Sequence, residues 1–142
     1  MDMHVALPLH RVGVYYGTTA TEYARLAEHR RQVFTLIGEF RQALAQPRGR
    51  RDAIRALKAL VPCSDAYFAV VESLLDKISG AGAAPHRVDH RRILDELKST
   101  LDRCSASNAQ STTADLVHAV DTLVMHEATI CVRGSGNNSS PR

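Results

Sequence analysis

The sequence predicts an all-α protein, an up-down-up-down antiparallel four-helix bundle with an N-terminal arm. Apolar residues recur at alternating three- and four-residue spacings over four long stretches, which is the pattern of a helix with one buried face. Short segments rich in glycine, proline or polar residues separate these stretches, and short connections favour antiparallel neighbouring helices. Strand-like alternation, a glycine loop for phosphate and a nucleophile elbow are all missing from the sequence.

The first helix follows an arm, residues 1–18, in which one proline and two glycines interrupt any regular pattern. Thr19 begins the helix, because Thr19 and Glu22 have the spacing of a capping box. His29 falls on the apolar stripe, and Pro47 lies just beyond the helix end. The other stripe positions are Leu26, Val33, Leu36 or Ile37, Phe40 and Leu44.

The second helix is predicted over about residues 52–79. Its inward-facing residues alternate at three- and four-residue spacings, as on the buried face of a helix in a bundle. Pro62 lies inside it and predicts a kink, or a split near Val61. Tyr67 points to the core, where its hydroxyl needs a partner. The inward line is Leu57, Leu60, Ser64, Tyr67, Val71, Leu74 and Ile78.

The third helix begins at Pro85, a favoured first position, and the fourth near Thr112 or Thr113. Gly134 ends the fourth helix, so residues 19–133 form the bundle and residues 134–142 form a tail of disordered composition. The third inward line is His86, His90, Ile93 or Leu94, Leu97 and Leu101. The fourth is Leu116, Ala119 or Val120, Leu123, His126 and Ile130.

The composition argues against nucleic-acid-binding, membrane-spanning and disulfide-rich proteins. The chain has 142 residues, enough for one domain, and a net charge of +3. Its arginine clusters, at residues 48–51 and 90–92, lack an accompanying aromatic strand motif, so we expect solvated helix ends rather than a nucleic-acid surface. No apolar run is long enough to span a membrane. The three cysteines are widely separated, which favours a reducing, cytoplasmic compartment over a disulfide framework.

Four inward histidines indicate a metal site. His86 and His90 lie one turn apart on one helix face. His126 lies late in the fourth helix, so in an antiparallel bundle it faces the start of the third helix, where His86 and His90 lie. The same layer of the bundle would contain His29 and the phenol of Tyr67. Imidazole is a common ligand of iron and zinc. For His29 alone, a core histidine bonded to a neighbouring group is the competing interpretation.

The histidine segments resemble those of the hemerythrin-like four-helix proteins. The matching segments are Glu28–Phe34 (EHRRQVF), Tyr67–Glu72 (YFAVVE), His86–His90 followed by Ile93 and Leu94, and Leu123–His126 (LVMH), within about residues 19–133. The resemblance implies one or two iron ions, with zinc as the second choice. It also implies binding or sensing of oxygen, nitric oxide, metal or redox state.

The chain departs from the family pattern at three ligand positions. Tyr67 stands in place of a histidine, Val71 in place of a bridging glutamate and Cys131 in place of a bridging aspartate. The resemblance therefore implies a non-standard site. One metal position keeps His86, His90 and His126, with Cys131 as a candidate fourth ligand. The other retains only His29, with Tyr67 in place of its second histidine. Tyr67 would either bind ferric iron as a phenolate or hydrogen-bond His29. Core packing is the alternative for Tyr67 and Cys131. Glu72 lies one residue off the inward line and would need a helix distortion to reach the metal.

Three functions follow as hypotheses. The first is a metal-binding protein that binds or senses a small diatomic ligand and signals through a protein partner or self-association. The second is a metal-dependent oxidase or peroxidase, in which an open coordination position activates oxygen or peroxide. The third is a metal-free bundle that binds a protein partner through its arginine-rich helix ends.

Overall fold

The computed structural model describes residues 20–78, 83–105 and 113–137, with side chains up to residues 77, 104 and 128 of these segments. Four helices account for them: α1 (Ala20–Leu44), α2 (Arg50–Ile78), α3 (Ala84–Ser105) and α4 (Thr113–Asn137). No strand occurs in these segments. The all-α prediction is thus confirmed. The predicted arm, the Thr19 cap and the extreme C-terminus lie outside the described residues.

The predicted split of α2 near Val61 and the predicted end of α4 at Gly134 are wrong, whereas a kink at Pro62 stays a prediction. Helix α2 runs unbroken through Pro62. The proline and Lys58, whose carbonyl loses its hydrogen bond, are both exposed, so water can satisfy that carbonyl. Helix α4 continues past Gly134 to Asn137. A glycine costs a helix only about 1 kcal/mol relative to alanine and does not by itself end it.

The turn between α1 and α2 depends on Gly49. Its backbone N–H donates to the carbonyl of Gln46 at 3.1 Å, and its own carbonyl accepts from Ala53 at 2.8 Å as α2 begins. A Cβ at Gly49 would lie 1.6 Å from the Ala43 carbonyl oxygen. The close approach of the two helices therefore requires a residue without a side chain here.

All four helices contribute to one core. On α2 the predicted inward line is buried from Leu57 to Leu74, and on α4 it is buried from Leu116 to Leu123. Helix α1 differs by one position, because Arg30 rather than His29 is buried. The buried residues of α1 are Leu26, Arg30, Val33, Ile37 and Phe40.

Ion pairs join the late part of α2 to the starts of α1 and α3. Lys77, late in α2, pairs with Glu22 at the start of α1, and Arg87, early in α3, pairs with Asp76 late in α2. Each helix packs on the next along the chain. The first turns of α3 and the late part of α2 are thereby neighbours. None of the described helices is both long and apolar enough to cross a membrane.

Candidate metal centre

Three histidines from two helices converge. His86 and His90 lie on successive turns of α3, and His126 lies on α4. One potential ligand atom from each falls within 4.8 Å of the other two. The ring centroids are 4.9 Å apart for His90 and His126, and 5.8 Å apart for His86 and His90. An ion with metal–nitrogen bonds of about 2.0–2.1 Å holds two ligand nitrogens no more than about 4.2 Å apart. Ligand atoms up to 4.8 Å apart therefore have to move slightly inward to bind one ion.

Two nitrogens of this cluster fit a metal ion for a further reason. Nδ1 of His86 and Nε2 of His90 are buried and have no hydrogen-bond partner among the described residues. Buried polar atoms are nearly always paired in folded proteins, because leaving one unpaired costs about 1–3 kcal/mol. A cation bound between these nitrogens would satisfy both, so the donor set fits a metal.

His90 is the most constrained of the three histidines. It is only 2% exposed. The ring of Phe68 stacks on it with centroids 3.9 Å apart and planes 1° from parallel. Burial lowers the pKa of His90, although the neighbouring Glu72 acts in the opposite direction. The ring is thus held in place and favours the neutral form that binds metals.

Glu72 contacts a histidine of the cluster. Its Oε2 lies 2.7 Å from Nδ1 of His90, and its Oε1 lies 3.3 Å from Nε of Arg87. Helix α2 is regular at this point. The predicted distortion was the condition for Glu72 to bind the metal itself, whereas here the carboxylate contacts Nδ1 of His90.

Tyr67 has a different partner from those predicted. Its side chain is 1% exposed, and its hydroxyl donates a hydrogen bond of 2.6 Å to Oε1 of Glu127. Burial first, and then the Glu127 carboxylate, raise the pKa of Tyr67 well above its ordinary value. Tyr67 is therefore a neutral hydrogen-bond donor to Glu127, and neither a phenolate nor a partner of His29.

Glu127 and Arg30 form a buried ion pair that the sequence analysis missed. Nε of Arg30 lies 3.4 Å from Oε1 of Glu127, and the guanidinium lies 4.5 Å from the centroid of the Phe34 ring. Burial raises the pKa of Glu127, while Tyr67 and Arg30 act to lower it. The signal for this pair was present, because Arg30 and Glu127 each continue an apolar stripe, four residues after Leu26 and Leu123.

His29 lies outside the three-histidine cluster. It is half-buried and lines a groove between α1 and α2, together with Arg25, Ser73 and Lys77. The predicted layer of four histidines is thus reduced to three histidines among the described side chains. Cys131 belongs to α4, but its side chain lies outside the described residues, so its role as a fourth ligand stays a prediction.

A cleft between α2 and α3 reaches the outer side of the cluster. Its volume is about 300 Å³, and Phe68, Glu72 and His90 form its inner wall. Charged residues surround its opening, including Asp65, Arg87 and Lys98. Solvent therefore approaches the Glu72–His90 pair from this side.

Comparison of the chain with known protein families, with curated proteins and with solved structures finds no match. The interpretation as a metal centre rests on the three histidines and the residues that hold them.

Proposed function

We propose that this protein binds one divalent transition-metal ion, iron or zinc, through His86, His90 and His126, and that it binds or senses oxygen, nitric oxide or redox state there. The observation that carries the proposal is the convergence of three imidazoles, one buried and two half-buried, whose ligand atoms lie within 4.8 Å of one another and two of whose nitrogens lack a hydrogen-bond partner. Such an arrangement is costly without a cation.

We further infer that the chain is a divergent hemerythrin-like, up-down-up-down bundle. The order of the helix contacts supports this inference. Between α1 and α4, Arg30 pairs with Glu127 whereas the later Arg41 pairs with the earlier Asp121. Between α3 and α4, His90 lies beside His126 whereas the later Glu96 lies 3.7 Å from the earlier His118. Opposed order along two helices is what an antiparallel pair produces.

A single ion is favoured over two. The second metal position that the resemblance implies would need Tyr67, whose hydroxyl is bound to Glu127. The buried guanidinium of Arg30 already neutralises Glu127 at that place. A second cation would have to compete with this fixed positive charge in a poorly solvated interior.

The donor set indicates what the site can do. Three imidazoles bind borderline ions such as Zn²⁺ and Fe²⁺, and a bound ion with three protein ligands keeps an open position for a small ligand. Neighbouring residues of the chain position one of these ligands and shield it from water. Phe68 and Glu72 hold His90, and the burial of His90 excludes water from the inner side of the ring.

Metal titration of purified, tag-free protein tests the proposal. We expect one Zn²⁺ or, without oxygen, one Fe²⁺ per chain, and loss of high-affinity binding in His90→Ala and His126→Ala. His118→Ala is the matched control, because His118 lies on α4 with its side chain 74% exposed and outside the cluster. Absence of binding, or equal loss in His118→Ala, would contradict the proposal. Two ions per chain, one of them lost in His29→Ala, would contradict a single site.

A further inference from the structure

We propose that Glu72 is a positioning residue that fixes His90 in the Nδ1–H tautomer, so that Nε2 is the nitrogen presented to His86 and His126. The consequence for metal affinity rests on the proposed metal site. The tautomer itself is a property of the metal-free protein and is tested separately.

The hydrogen bond between Glu72 and His90 determines which nitrogen carries the proton. A neutral imidazole has one donor nitrogen and one acceptor nitrogen, and an ionised carboxylate only accepts. Oε2 of Glu72 lies 2.7 Å from Nδ1 of His90, so Nδ1 donates the proton. Nε2 then keeps its lone pair, and this is the atom that is buried without a hydrogen-bond partner.

The orientation of the ring is fixed by a second contact. Phe68 lies parallel to the His90 ring at 3.9 Å, which sets the ring plane. Within that plane a half-turn of the ring would replace Nδ1 by a carbon atom and break the hydrogen bond to Glu72. Phe68 and Glu72 together therefore select one orientation, with Nε2 directed away from Glu72 and into the histidine cluster.

Glu72 is itself held by the first turn of α3. Its other oxygen pairs with Arg87, which lies between His86 and His90 on the chain and also pairs with Asp76 at 2.5 Å. Asp76 in turn accepts a hydrogen bond of 3.0 Å from the backbone N–H of Ala83. The two oxygens of Glu72 thus have different partners, which determines the plane of the carboxylate.

Removal of the Glu72 carboxylate frees the His90 proton to move to Nε2. A proton on Nε2 occupies the position where a metal would bind and has to leave before binding. Hydrogen bonds from a carboxylate to a metal-binding histidine are typically worth about 10- to 100-fold in metal affinity. We expect a loss of that size when the hydrogen-bond acceptor is removed.

The first test uses metal-free protein with ¹⁵N-labelled histidine, studied by imidazole ¹⁵N–¹H correlation at about pH 8, above the ordinary histidine pKa. The His90 signals are assigned by their loss in His90→Gln. We expect the Nδ1–H form in the wild type and in Glu72→Gln, whose amide oxygen still accepts. We expect the Nε2–H form to appear in Glu72→Leu and Glu72→Ala.

Asp65→Asn is the matched control, because Asp65 is an exposed carboxylate of α2 that lines the same cleft. It should leave the tautomer unchanged. An Nε2–H form in the wild type would overturn the proposal whether or not the variants fold. An unchanged tautomer in folded Glu72→Leu or Glu72→Ala would also overturn it.

The second test is competition titration with Zn²⁺. We expect binding about 10- to 100-fold weaker in Glu72→Leu than in the wild type, and wild-type binding in Asp65→Asn. Equal affinity in the wild type and Glu72→Leu would overturn the positioning role while leaving the metal site intact. If the wild type binds no Zn²⁺ or Fe²⁺ but the tautomer shifts as expected, the proposed function fails and the positioning role of Glu72 stands.

Discussion

At the scale of single residues, the buried charges of Arg30 and Glu127 are the least ordinary feature of the core. Their exposed fractions are 8% and 4%. Taking one charge out of water costs several kcal/mol, and only a partner in good geometry offsets that cost. The Tyr67 hydroxyl donates a hydrogen bond to Oε1 of Glu127, whereas Nε of Arg30 lies 3.4 Å from the same oxygen as an ion pair without a hydrogen bond. The stability of each side chain therefore depends on the other two.

Replacement of Arg30 by methionine should lower the free energy of unfolding by about 3–5 kcal/mol, because it leaves the Glu127 carboxylate buried without its cation. The double variant Arg30→Met/Glu127→Gln should recover part of that loss, since a neutral amide is less costly to bury. Urea unfolding of metal-free protein measures both. A single variant as stable as the wild type would show that the pair is not energetically coupled.

The phenol of Tyr67 should ionise only when the protein unfolds. Its pKa is raised in the folded state, so its contribution to stability is complete below about pH 10, the ordinary tyrosine pKa, and is lost as the pH rises through the folded-state value. The tyrosinate absorbance of the wild type, minus that of the Tyr67→Phe variant, reports the ionisation of Tyr67 alone. The difference should stay near zero above pH 10 until circular dichroism reports unfolding. Ionisation of Tyr67 at about pH 10 in folded protein would contradict its burial against Glu127.

At the scale of elements, two glycines on and beside α1 have opposite roles. Gly38 lies exposed in the helix, and a Cβ there would meet nothing within 4 Å. Gly49 lies in the turn to α2, where a Cβ would collide with the backbone of Ala43. The helix tolerates a side chain at the first position, and the turn excludes one at the second.

The same substitution at these two positions should therefore change stability in opposite directions. Gly38→Ala should stabilise by about 0.5–1 kcal/mol, because alanine is the better helix former. Gly49→Ala should destabilise by about 1–3 kcal/mol, because the backbone has to move to relieve the overlap. Chemical denaturation of the two variants beside the wild type checks both signs. A neutral Gly49→Ala would mean that the α1–α2 turn is less tightly packed than described.

At the scale of the whole molecule, a metal at the histidine cluster would join α3 to α4. A ligand that binds only the folded state stabilises it by about 2.7 kcal/mol when its free concentration is 100 times its dissociation constant. The metal would thus couple two helices that are already in contact. This coupling is a direct physical route by which the site could alter the rest of the protein.

Thermal unfolding should report this coupling. We expect the midpoint of unfolding to rise with added Zn²⁺ and to return to the metal-free value with a chelator. His126→Ala removes the ligand supplied by α4 and should abolish the rise, whereas His118→Ala should retain it. Insensitivity of the wild type to both metal and chelator would favour the metal-free, partner-binding bundle.

Much of the fold follows from local rules that the sequence determines by itself. The four helices begin and end within a few residues of their predicted bounds, apart from the continuation of α4 beyond Gly134. The local signals are the apolar spacing, the proline at the start of α3 and the short polar connections. They act within a few turns of the chain, so they are recognisable without knowledge of the neighbouring helices. The pairing of His86 with His90 is of the same kind, since residues four apart share one helix face.

The partners of the site residues depend on how the four helices pack against one another. Adjacent residues of a helix differ by about 100° in direction, so a small rotation of α1 decides whether His29 or Arg30 faces the core. That rotation depends on what the neighbouring helices present, and Glu127 of α4 meets Arg30. The same holds for Glu72, whose reach to His90 depends on how α3 lies against α2. Sequence patterns therefore identify which side chains are able to bind a metal, whereas helix packing selects which of them meet, because contacts between helices depend on rotation and register that no single helix specifies.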